Sequence, residues 1–199
     1  SWQEHIKNLS PLNETIFDRL KEVSNDLIFA DSTGLELSAE KFLTASILFK
    51  DLLKSEIKTQ NVGLLLPSTA AGAFINYSLL LMGKTAVNLN YTSEIESIKQ
   101  SINEAKIKTL ITSKKFVEKL ELKGIILEEV FHMLELNYLE DLKPKISKRK
   151  SLFTFLSVKF LPSFLLKIIH LTKTNKDDTV LILFSSGSEG KPKGVELSG

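Results

Sequence analysis

The sequence predicts an α/β fold in which a mostly parallel sheet is flanked by helices. From residue 61 onward, short apolar runs alternate with stretches of roughly 10–15 residues that have helical spacing. The run VGLLLP (62–67) is continuously apolar and ends at a proline, which suits a strand buried on both faces. This alternation indicates strand–helix–strand crossovers and therefore parallel strands. A chain of 199 residues is long enough to bury one sizeable core.

Four elements precede the sheet. Residues 12–24 place Leu12, Ile16, Leu20 and Val23 at helical spacing, which predicts the first helix. A turn at Ser32-Thr33-Gly34 separates two short strand-like runs. The further predictions here are a hairpin of strands over 27–31 and 35–38, and a helix over 39–55 that Ser38 caps.

The elements of the sheet follow in order along the chain. Gly83-Lys84-Thr85 lacks the upstream glycine of a nucleotide-binding loop, because Ser78 stands in that place. We therefore interpret Gly83 as the end of a helix before a strand. The predictions are helices over 69–82, 93–105 and 114–121, and strands over 85–90, 108–113, 124–128 and 179–186.

Composition and charge exclude several classes of function. The chain has no cysteine, which excludes disulfides, thiolate nucleophiles and zinc sites built on sulfur. Its three histidines, His5, His132 and His170, are far apart and match no metal-binding motif. We therefore predict no metal held by protein ligands alone. A formal net charge of +2 is too small to indicate nucleic acid, and we expect none as a partner.

A basic stretch precedes an apolar one between the third predicted helix of the sheet and the last strand. Residues 152–171 are apolar apart from interruptions that include Lys159, Pro162 and Lys167, and charges in the middle make a poor membrane span. We expect two helices docked on the same domain; the alternative is a helix pair on an anionic membrane surface. Either partner would meet the basic residues Lys143, Lys145, Lys148, Arg149 and Lys150. The phenylalanines that we expect in the core are Phe153, Phe155, Phe160 and Phe164.

The last predicted strand runs directly into a glycine-rich loop, residues 185–193, with the sequence SSGSEGKPK. Ligands of parallel sheets bind beyond the carboxyl ends of the strands. Gly187 and Gly190 allow the backbone to approach an anion closely, and successive amides can then point at phosphate oxygens. Three serine hydroxyls, Lys191 and Lys193 add donors and positive charge, while Pro192 stiffens the exit. This composition predicts a cradle for a polyphosphate.

Two common nucleotide-binding loops do not fit this segment. In GxxxxGK[ST] the second glycine stands five residues after the first, but five residues after Gly187 is Pro192. The dinucleotide fingerprint GxGxxG is also absent, because Gly187-Ser188-Glu189-Gly190 has the wrong spacing.

The stretch SSGSEGKPKGV (185–195) resembles the phosphate loop of the adenylate-forming, or AMP-binding, enzymes, usually written (S/T)SG(S/T)TGxPKGV. Residues 62–92 resemble the earlier strand–helix–strand block of that family. Residues 90–92, 107–113, 138–143 and 181–195 are most similar to one branch, the acyl-[acyl-carrier-protein] synthetase half of the bifunctional bacterial 2-acylglycerophosphoethanolamine acyltransferases. The resemblance covers residues 15–199 and is weakest over 120–175.

The resemblance implies part of the N-terminal subdomain of the acyl-CoA synthetase-like fold. It implies a ligase that uses ATP and Mg²⁺ to activate a fatty acid as acyl-adenylate and then transfers the acyl group to acyl carrier protein. The phosphates of ATP are then expected at Ser185, Ser186, Gly187, Ser188, Glu189, Gly190 and Lys193. Lys193 either contacts phosphate or anchors the loop, and Lys191 is expected in solvent. Glu189 replaces the family's usual threonine, so it either faces away from ATP or reaches phosphate through magnesium.

The domain organisation expected from this resemblance has three parts. They are an adenylation-domain portion over 1–142, a basic and amphipathic helical insertion over 143–175, and the last strand with its loop over 176–199. The family's adenine and acyl pockets, its acidic magnesium ligand and its C-terminal lysine lie beyond the phosphate loop, so we assign no catalytic residue. Because the chain begins without methionine and stops at Gly199, we expect a piece of a longer polypeptide that is inactive alone.

Two other functions stay open from the sequence. One is a fatty acyl-CoA ligase, with coenzyme A as the thiol acceptor. The other is a non-catalytic module whose basic residues dock on a membrane or on an acidic carrier protein. No histidine here starts the HxxxxD pattern of the acyltransferase half, so lysophospholipid reacylation would be encoded elsewhere. We expect a cytoplasmic location, with the inner face of the bacterial cell membrane as the alternative.

Overall fold

The structure is a computed structural model that describes residues 10–31, 34–186 and 192–198; for Ser185, Ser186, Pro192 and Lys193 it describes the backbone alone. The helices are α1 (Leu12–Glu22), α2 (Ala39–Glu56), α3 (Ala70–Leu81), α4 (Ile95–Glu104), α5 (Lys114–Glu121), α6 (Glu128–Phe131), α7 (Leu139–Leu142), α8 (Lys148–Phe160) and α9 (Ser163–His170), and Lys143–Lys145 form a 3₁₀ turn. The strands are β1 (Leu27–Ala30), β2 (Glu36–Ser38), β3 (Asn61–Leu65), β4 (Thr85–Asn88), β5 (Thr109–Thr112), β6 (Glu135–Tyr138), β7 (Thr179–Ser186) and β8 (Pro192–Ser198).

Six of these strands form the main sheet in the order β6-β5-β3-β4-β7-β8. All neighbours from β6 to β7 are parallel, and β8 is antiparallel to β7. Strands β1 and β2 form a separate antiparallel hairpin. These pairings confirm the prediction of an α/β fold with a mostly parallel sheet flanked by helices.

The sheet separates two hydrophobic cores. Successive residues of a strand point to opposite faces, and accordingly Leu64 belongs to one core while Leu65 belongs to the other. The first core packs the sheet against α1, α2 and α3, with Val158 of α8 and Leu166 of α9 also buried in it. The second core packs the sheet against α4, α5 and α6. Burial on both faces explains why the central strands read as continuous apolar runs.

Helix ends in the structure follow the local signals of the sequence. The Ser38 hydroxyl accepts a hydrogen bond from the Lys41 amide at 3.5 Å, which confirms the predicted cap of α2. Gly83 has φ +68° directly after α3, a conformation that other residues rarely adopt, and confirms the predicted helix end.

The sheet differs from the sequence prediction at one predicted strand, which residues 124–128 do not form, and at two edge strands, β6 and β8, which are not predicted. The strand predicted over 124–128 is wrong: Gly124 has φ +83°, and α6 begins at Glu128 so that Leu127 and Val130 can enter the second core. The edge strand is β6 instead, which pairs with β5 from Thr109↔Glu135 to Thr112↔Tyr138. Its residues are exposed or half-buried, so it lacks a continuous apolar run. Strand β8, which follows the glycine-rich loop, is exposed in its described side chains and is likewise not predicted.

The segment after residue 147 folds as two consecutive helices, α8 and α9, docked on the first core as expected. The expectation for its phenylalanines is wrong. Phe153, Phe160 and Phe164 are 73%, 73% and 60% exposed, and Phe155 is only half-buried. The reason is that α8 directs Thr154 and Val158 inward, which turns Phe153 and Phe160 toward solvent, and α9 buries Leu166 in place of Phe164.

Candidate functional site

A cavity of about 300 Å³ lies at the carboxyl ends of β3 and β4. The chain leaves these two strands for opposite faces of the sheet, because Ile75 of α3 packs in the first core and Ile98 of α4 in the second. Open parallel sheets bind their ligands at such a reversal of strand order. We call this cavity the crevice; its lining includes Phe29, Ser68, Thr69, Asn76 and Asn88.

The crevice wall that follows β3 is held by close contacts to backbone atoms at the start of α3. A Cβ at Gly72 would lie 2.7 Å from the carbonyl oxygen of Pro67, a distance that only glycine avoids. Thr69 caps α3 by accepting a hydrogen bond from the Gly72 amide at 3.5 Å. The Asp31 carboxylate accepts from the Ala70 amide at 3.0 Å and ties the β1–β2 hairpin to the same helix start.

Two asparagines connect the wall to β4. Asn76 Nδ2 donates to Asn88 Oδ1 at 3.2 Å, and Asn88 Nδ2 donates back to Asn76 Oδ1 at 2.8 Å. Asn76 Nδ2 also donates to the Gly72 carbonyl at 2.9 Å. Both side chains border the crevice and a second cavity of about 440 Å³ lined by apolar residues such as Phe42 and Leu181. No sequence pattern singles out Asn76, because its partner comes from a strand that only the fold brings near.

Tyr77 lines the second cavity as a neutral hydroxyl. Burial first, and the charge of Asp18 second, raise the pKa of Tyr77 well above its ordinary value. Its hydroxyl donates to the Asn13 carbonyl at 3.0 Å and joins α3 to α1. Tyr77 therefore adds no charge to the lining of the second cavity.

The turn after β4 has a structural role. Asn90 Oδ1 accepts hydrogen bonds from the Thr92 amide at 3.0 Å and from the Thr92 hydroxyl at 2.6 Å. Tyr91 packs edge-on against Phe116 with ring centroids 5.0 Å apart. These contacts fix the second rim of the crevice to the core around α5.

The glycine-rich loop begins beside the crevice. Strand β7 is the neighbour of β4, with Asn88 in register with Leu183. Beyond that pair β7 continues to Ser186, where Ser185 faces Lys193 and Ser186 faces Pro192 of β8. The structure thus brings the two ends of the loop together at the carboxyl edge of the sheet. Gly187, Ser188, Glu189, Gly190 and Lys191 lie outside the described residues, as do the side chains of Ser185, Ser186 and Lys193.

A polar cluster at the carboxyl ends of β5 and β6 is structural. Glu140 accepts hydrogen bonds from the Ser113 hydroxyl at 2.7 Å and from the Lys114 amide at 2.9 Å, at the start of α5. Burial alone would raise the pKa of Glu140, but these hydrogen bonds outweigh it and hold the pKa below its usual value. The carboxylate therefore stabilises a helix start and is not free to act as a base.

Within residues 10–31, 34–186 and 192–198, no group of three or more His, Cys, Asp or Glu side chains could hold a metal ion. In the same ranges no helix has both the length and the apolar character needed to cross a bilayer. These two findings apply to the described part of the chain alone.

Comparison with known proteins decides the family. The model of the family described as "AMP-binding enzyme" matches residues 50–199, which include the crevice lining apart from Phe29, the asparagine pair and the glycine-rich loop. The chain belongs to the AMP-binding enzyme family. The AMP-binding match therefore bears out the family resemblance that the glycine-rich loop carries.

Relatives of this AMP-binding chain include a curated plant protein and several solved structures. The chain is 30% identical over 138 residues to "4-coumarate--CoA ligase-like 6" of Arabidopsis thaliana, covering 69% of this chain and 22% of that protein. It also resembles o-succinylbenzoate CoA synthetase from Bacillus subtilis in complex with its acyl-adenylate intermediate, with TM-score 0.70, 17% identity, and coverage of 96% of this chain and 34% of that one. The N-terminal subdomain of NpsA from Klebsiella oxytoca aligns with TM-score 0.62, 16% identity, and coverage of 96% and 42%.

These alignments support the fold of this AMP-binding chain as that of acyl-CoA synthetase-like N-terminal domains. The chain spans about a fifth of the length of the plant relative and less than half of the structures.

Proposed function

We propose that the chain is the N-terminal portion of an ATP-dependent ligase that activates a fatty acid as acyl-adenylate. The observation that carries the proposal is the glycine-rich loop, whose family motif starts at the carboxyl end of β7 beside the crevice. The family match over residues 50–199 supports it. In this proposal residues 143–175 are an insertion into one adenylation unit formed by 1–142 and 176–199.

The difficult step of such a reaction is the departure of pyrophosphate with concentrated negative charge. Fixed donors aimed at the β- and γ-phosphates stabilise that charge without reorganising during the reaction. We assign this role to the backbone of Gly187 and Gly190 and to the hydroxyls of Ser185, Ser186 and Ser188. Lys193 adds a positive charge to the same cradle.

Mg²⁺ would neutralise part of the phosphate charge when bound with ATP. The described residues offer no group of acids that could hold it, so we assign no magnesium ligand in this chain. Glu189 keeps two alternatives under this proposal: its carboxylate faces away from the nucleotide, or it meets the phosphates through the metal.

We propose acyl carrier protein as the thiol acceptor, because the SGSEG form of the loop and residues 138–143 are most similar to the carrier-protein branch. Coenzyme A is the second candidate, favoured by the resemblance to a CoA ligase-like protein. Comparing coenzyme A with the phosphopantetheinylated carrier protein as acceptors for the intact protein separates the two. Reacylation of a lysophospholipid would belong to another part of the intact protein.

We also propose contact with an anionic membrane surface through Lys143, Lys145, Lys148, Arg149 and Lys150. All five side chains belong to exposed residues, and Lys145 and Lys150 each also pair with an acid of α2. Such contact would hold a cytoplasmic protein at the inner face of the cell membrane, close to fatty acids that partition into the bilayer.

The test of the ligase proposal is exchange of labelled pyrophosphate into ATP by the intact protein with a fatty acid. Ser186→Ala and Lys193→Met should each lower the rate about 10²-fold, because each removes a donor from the departing phosphates. The matched controls are Ser198→Ala and Lys191→Met. Their exchange rates should stay within about twofold of that of the unsubstituted protein, because substitutions at the surface have small effects. Exchange that both loop substitutions leave unchanged would overturn the proposal.

A further inference from the structure

Helices α8 and α9 present large apolar side chains to solvent. We call six of them, each 60–76% exposed, the outer apolar face: Leu152, Phe153, Phe160, Phe164, Ile168 and Ile169. Single exposed apolar side chains are common, but six within residues 152–169 are a concentration typical of regions that bind a partner. The opposite sides of the same helices are already buried through Val158 and Leu166, so the docking of the helices does not explain the exposed set.

The segment that carries this face has basic residues and no acidic ones of its own. Residues 142–176 contain eight lysines, one arginine and no aspartate or glutamate. Lys150 and Lys167 pair with Asp51 and Asp18, whereas within the described part of the chain Lys148 and Arg149 form no ion pair. A second copy of this surface would be repelled by its like charge. Apolar side chains on a segment with nine basic and no acidic residues match the surface of a bilayer that contains anionic lipid.

A basic pocket adjoins the outer apolar face. The cavity measures about 380 Å³ and lies between α2, the start of β4 and the end of α9. We call it the lysine pocket; Lys50, Lys54, Lys84, Ile169, His170 and Thr172 are among its lining residues. Because Ile169 belongs both to the pocket wall and to the outer apolar face, a ligand in the pocket can continue onto that face.

The deepest lysine of the pocket is held in place. The residue Lys50 is only 7% exposed; its Nζ donates to the His170 carbonyl at 3.3 Å and lies 3.1 Å from Asp51 Oδ1. Burial first, and the positive charge of Lys50 second, lower the pKa of His170 to about 4. His170 is therefore neutral at physiological pH, and the fixed charges that line the pocket are those of its three lysines.

We propose that the α8–α9 pair docks on a bilayer with its outer apolar face at the boundary between headgroups and acyl chains, and that the lysine pocket binds the phosphate of an anionic phospholipid. This deepens, and rests on, the membrane contact proposed above. At 13 and 8 residues, α8 and α9 are far shorter than the ~20 residues that cross a bilayer, so the contact is with its surface. The lipid's acyl chains would leave the pocket past Ile169.

The first experiment measures co-sedimentation of the intact protein with vesicles of phosphatidylcholine alone or mixed with phosphatidylglycerol. Binding should be on the order of tenfold stronger to the mixed vesicles and should weaken with salt. Phe153→Ser with Phe160→Ser should abolish binding, while the matched pair Leu122→Ser with Ile126→Ser, 84% and 63% exposed elsewhere, should retain it. Absence of vesicle binding, or equal binding by both pairs, overturns the proposal, as does a preference for polyglutamate over vesicles.

The second experiment tests the pocket with short-chain phosphatidylglycerol below its micelle concentration. Its addition should shift the imidazole NMR signal of His170, and Lys54→Glu with Lys84→Glu should remove that shift. Lys115→Glu with Lys119→Glu changes charge equally on an exposed part of α5 and should keep the shift. An equal NMR shift with inorganic phosphate would show that the pocket binds the free anion, and would overturn the proposal that its ligand is a lipid. Pyrophosphate exchange without vesicles tests the ligase proposal separately, so either can fail alone.

Discussion

Lys50 Nζ lies 3.4 Å from Nδ1 of His170, a residue 120 positions later in the chain. The contact joins α2 to the end of α9 and places the imidazole beside a buried ammonium. Asp51, which partly offsets the effect of Lys50 on the pKa of His170, and Lys150, which adds to it, are the other charges that act on this ring. The pair therefore makes the docking of α9 sensitive to protonation.

We predict that acid weakens the fold through His170. Its pKa falls from the ordinary 6.5 to about 4 in the folded protein, so between these values the unfolded chain binds a proton that the folded chain does not. The contribution of His170 to the free energy of unfolding is therefore complete above the unfolded pKa of 6.5. It is lost as pH falls from 6.5 toward 4. Denaturant unfolding of His170→Asn should show a flatter pH dependence there. His132→Asn, at a side chain 76% exposed, is the control and should keep the original slope.

We predict that Gly72→Ala destabilises the crevice wall. The new methyl would meet the Pro67 carbonyl oxygen at 2.7 Å, and forcing such a contact apart costs about 1–3 kcal/mol. Thermal or denaturant unfolding measures the loss. Ala71→Ser at the neighbouring position should change the free energy of unfolding by less than about 0.7 kcal/mol, the helix-propensity range. Equal effects of the two substitutions would contradict the close approach.

We predict measurable coupling between Asn76 and Asn88. Replacing either one with alanine removes both hydrogen bonds between the two side chains, while Asn76 Nδ2 keeps its bond to the Gly72 carbonyl, so each substitution should cost about 0.5–1.5 kcal/mol. The double substitution should cost less than the sum of the two single ones, and the double-mutant cycle isolates the difference. Additive losses would show that the two side chains do not stabilise each other.

We predict opposite outcomes for two apolar residues of α8. Val158 is 1% exposed, so Val158→Ala should lower the free energy of unfolding by about 1–2 kcal/mol. Phe153 is 73% exposed, so Phe153→Ala should change it by less than about 0.5 kcal/mol. A large loss at Phe153 would place that ring in the core after all.

The sheet is predictable where burial on both faces leaves a continuous apolar run. Strands β3, β4 and β5 meet this condition in most of their length, and the sequence finds them. Strand β7 is also found from its apolar run, although only Val180 and Ile182 of its described side chains are buried. The edge strand β6 is not predicted, because it is exposed or half-buried and does not form a continuous apolar run. Glu135 and Asn137 alternate with its apolar residues. The apolar run at 124–128 misleads because a helical turn can also deliver Leu127 to the core.

The candidate site is predictable only where chemistry is contiguous in sequence. The glycine-rich loop has its serines, glycines and lysines within nine successive positions, so a motif identifies it. The crevice brings together Phe29, Thr69 and Asn88 from separate elements, and no local pattern reports such a meeting. The predicted burial of the phenylalanines is wrong for a related reason. Helix α8 has apolar residues on both of its sides, so hydrophobic periodicity cannot show which side is buried.

Strand β4 ends at Asn88, yet its partner on one side, β7, starts only at Thr179. During synthesis on the ribosome, β3, β4 and β5 can assemble from residues 61–112 while that side of β4 still lacks its neighbour. An open strand edge in a nascent chain is an aggregation hazard. Translation pauses between residues 113 and 178 should therefore yield chains that depend on chaperones, and emergence of the β7–β8 hairpin should end that dependence.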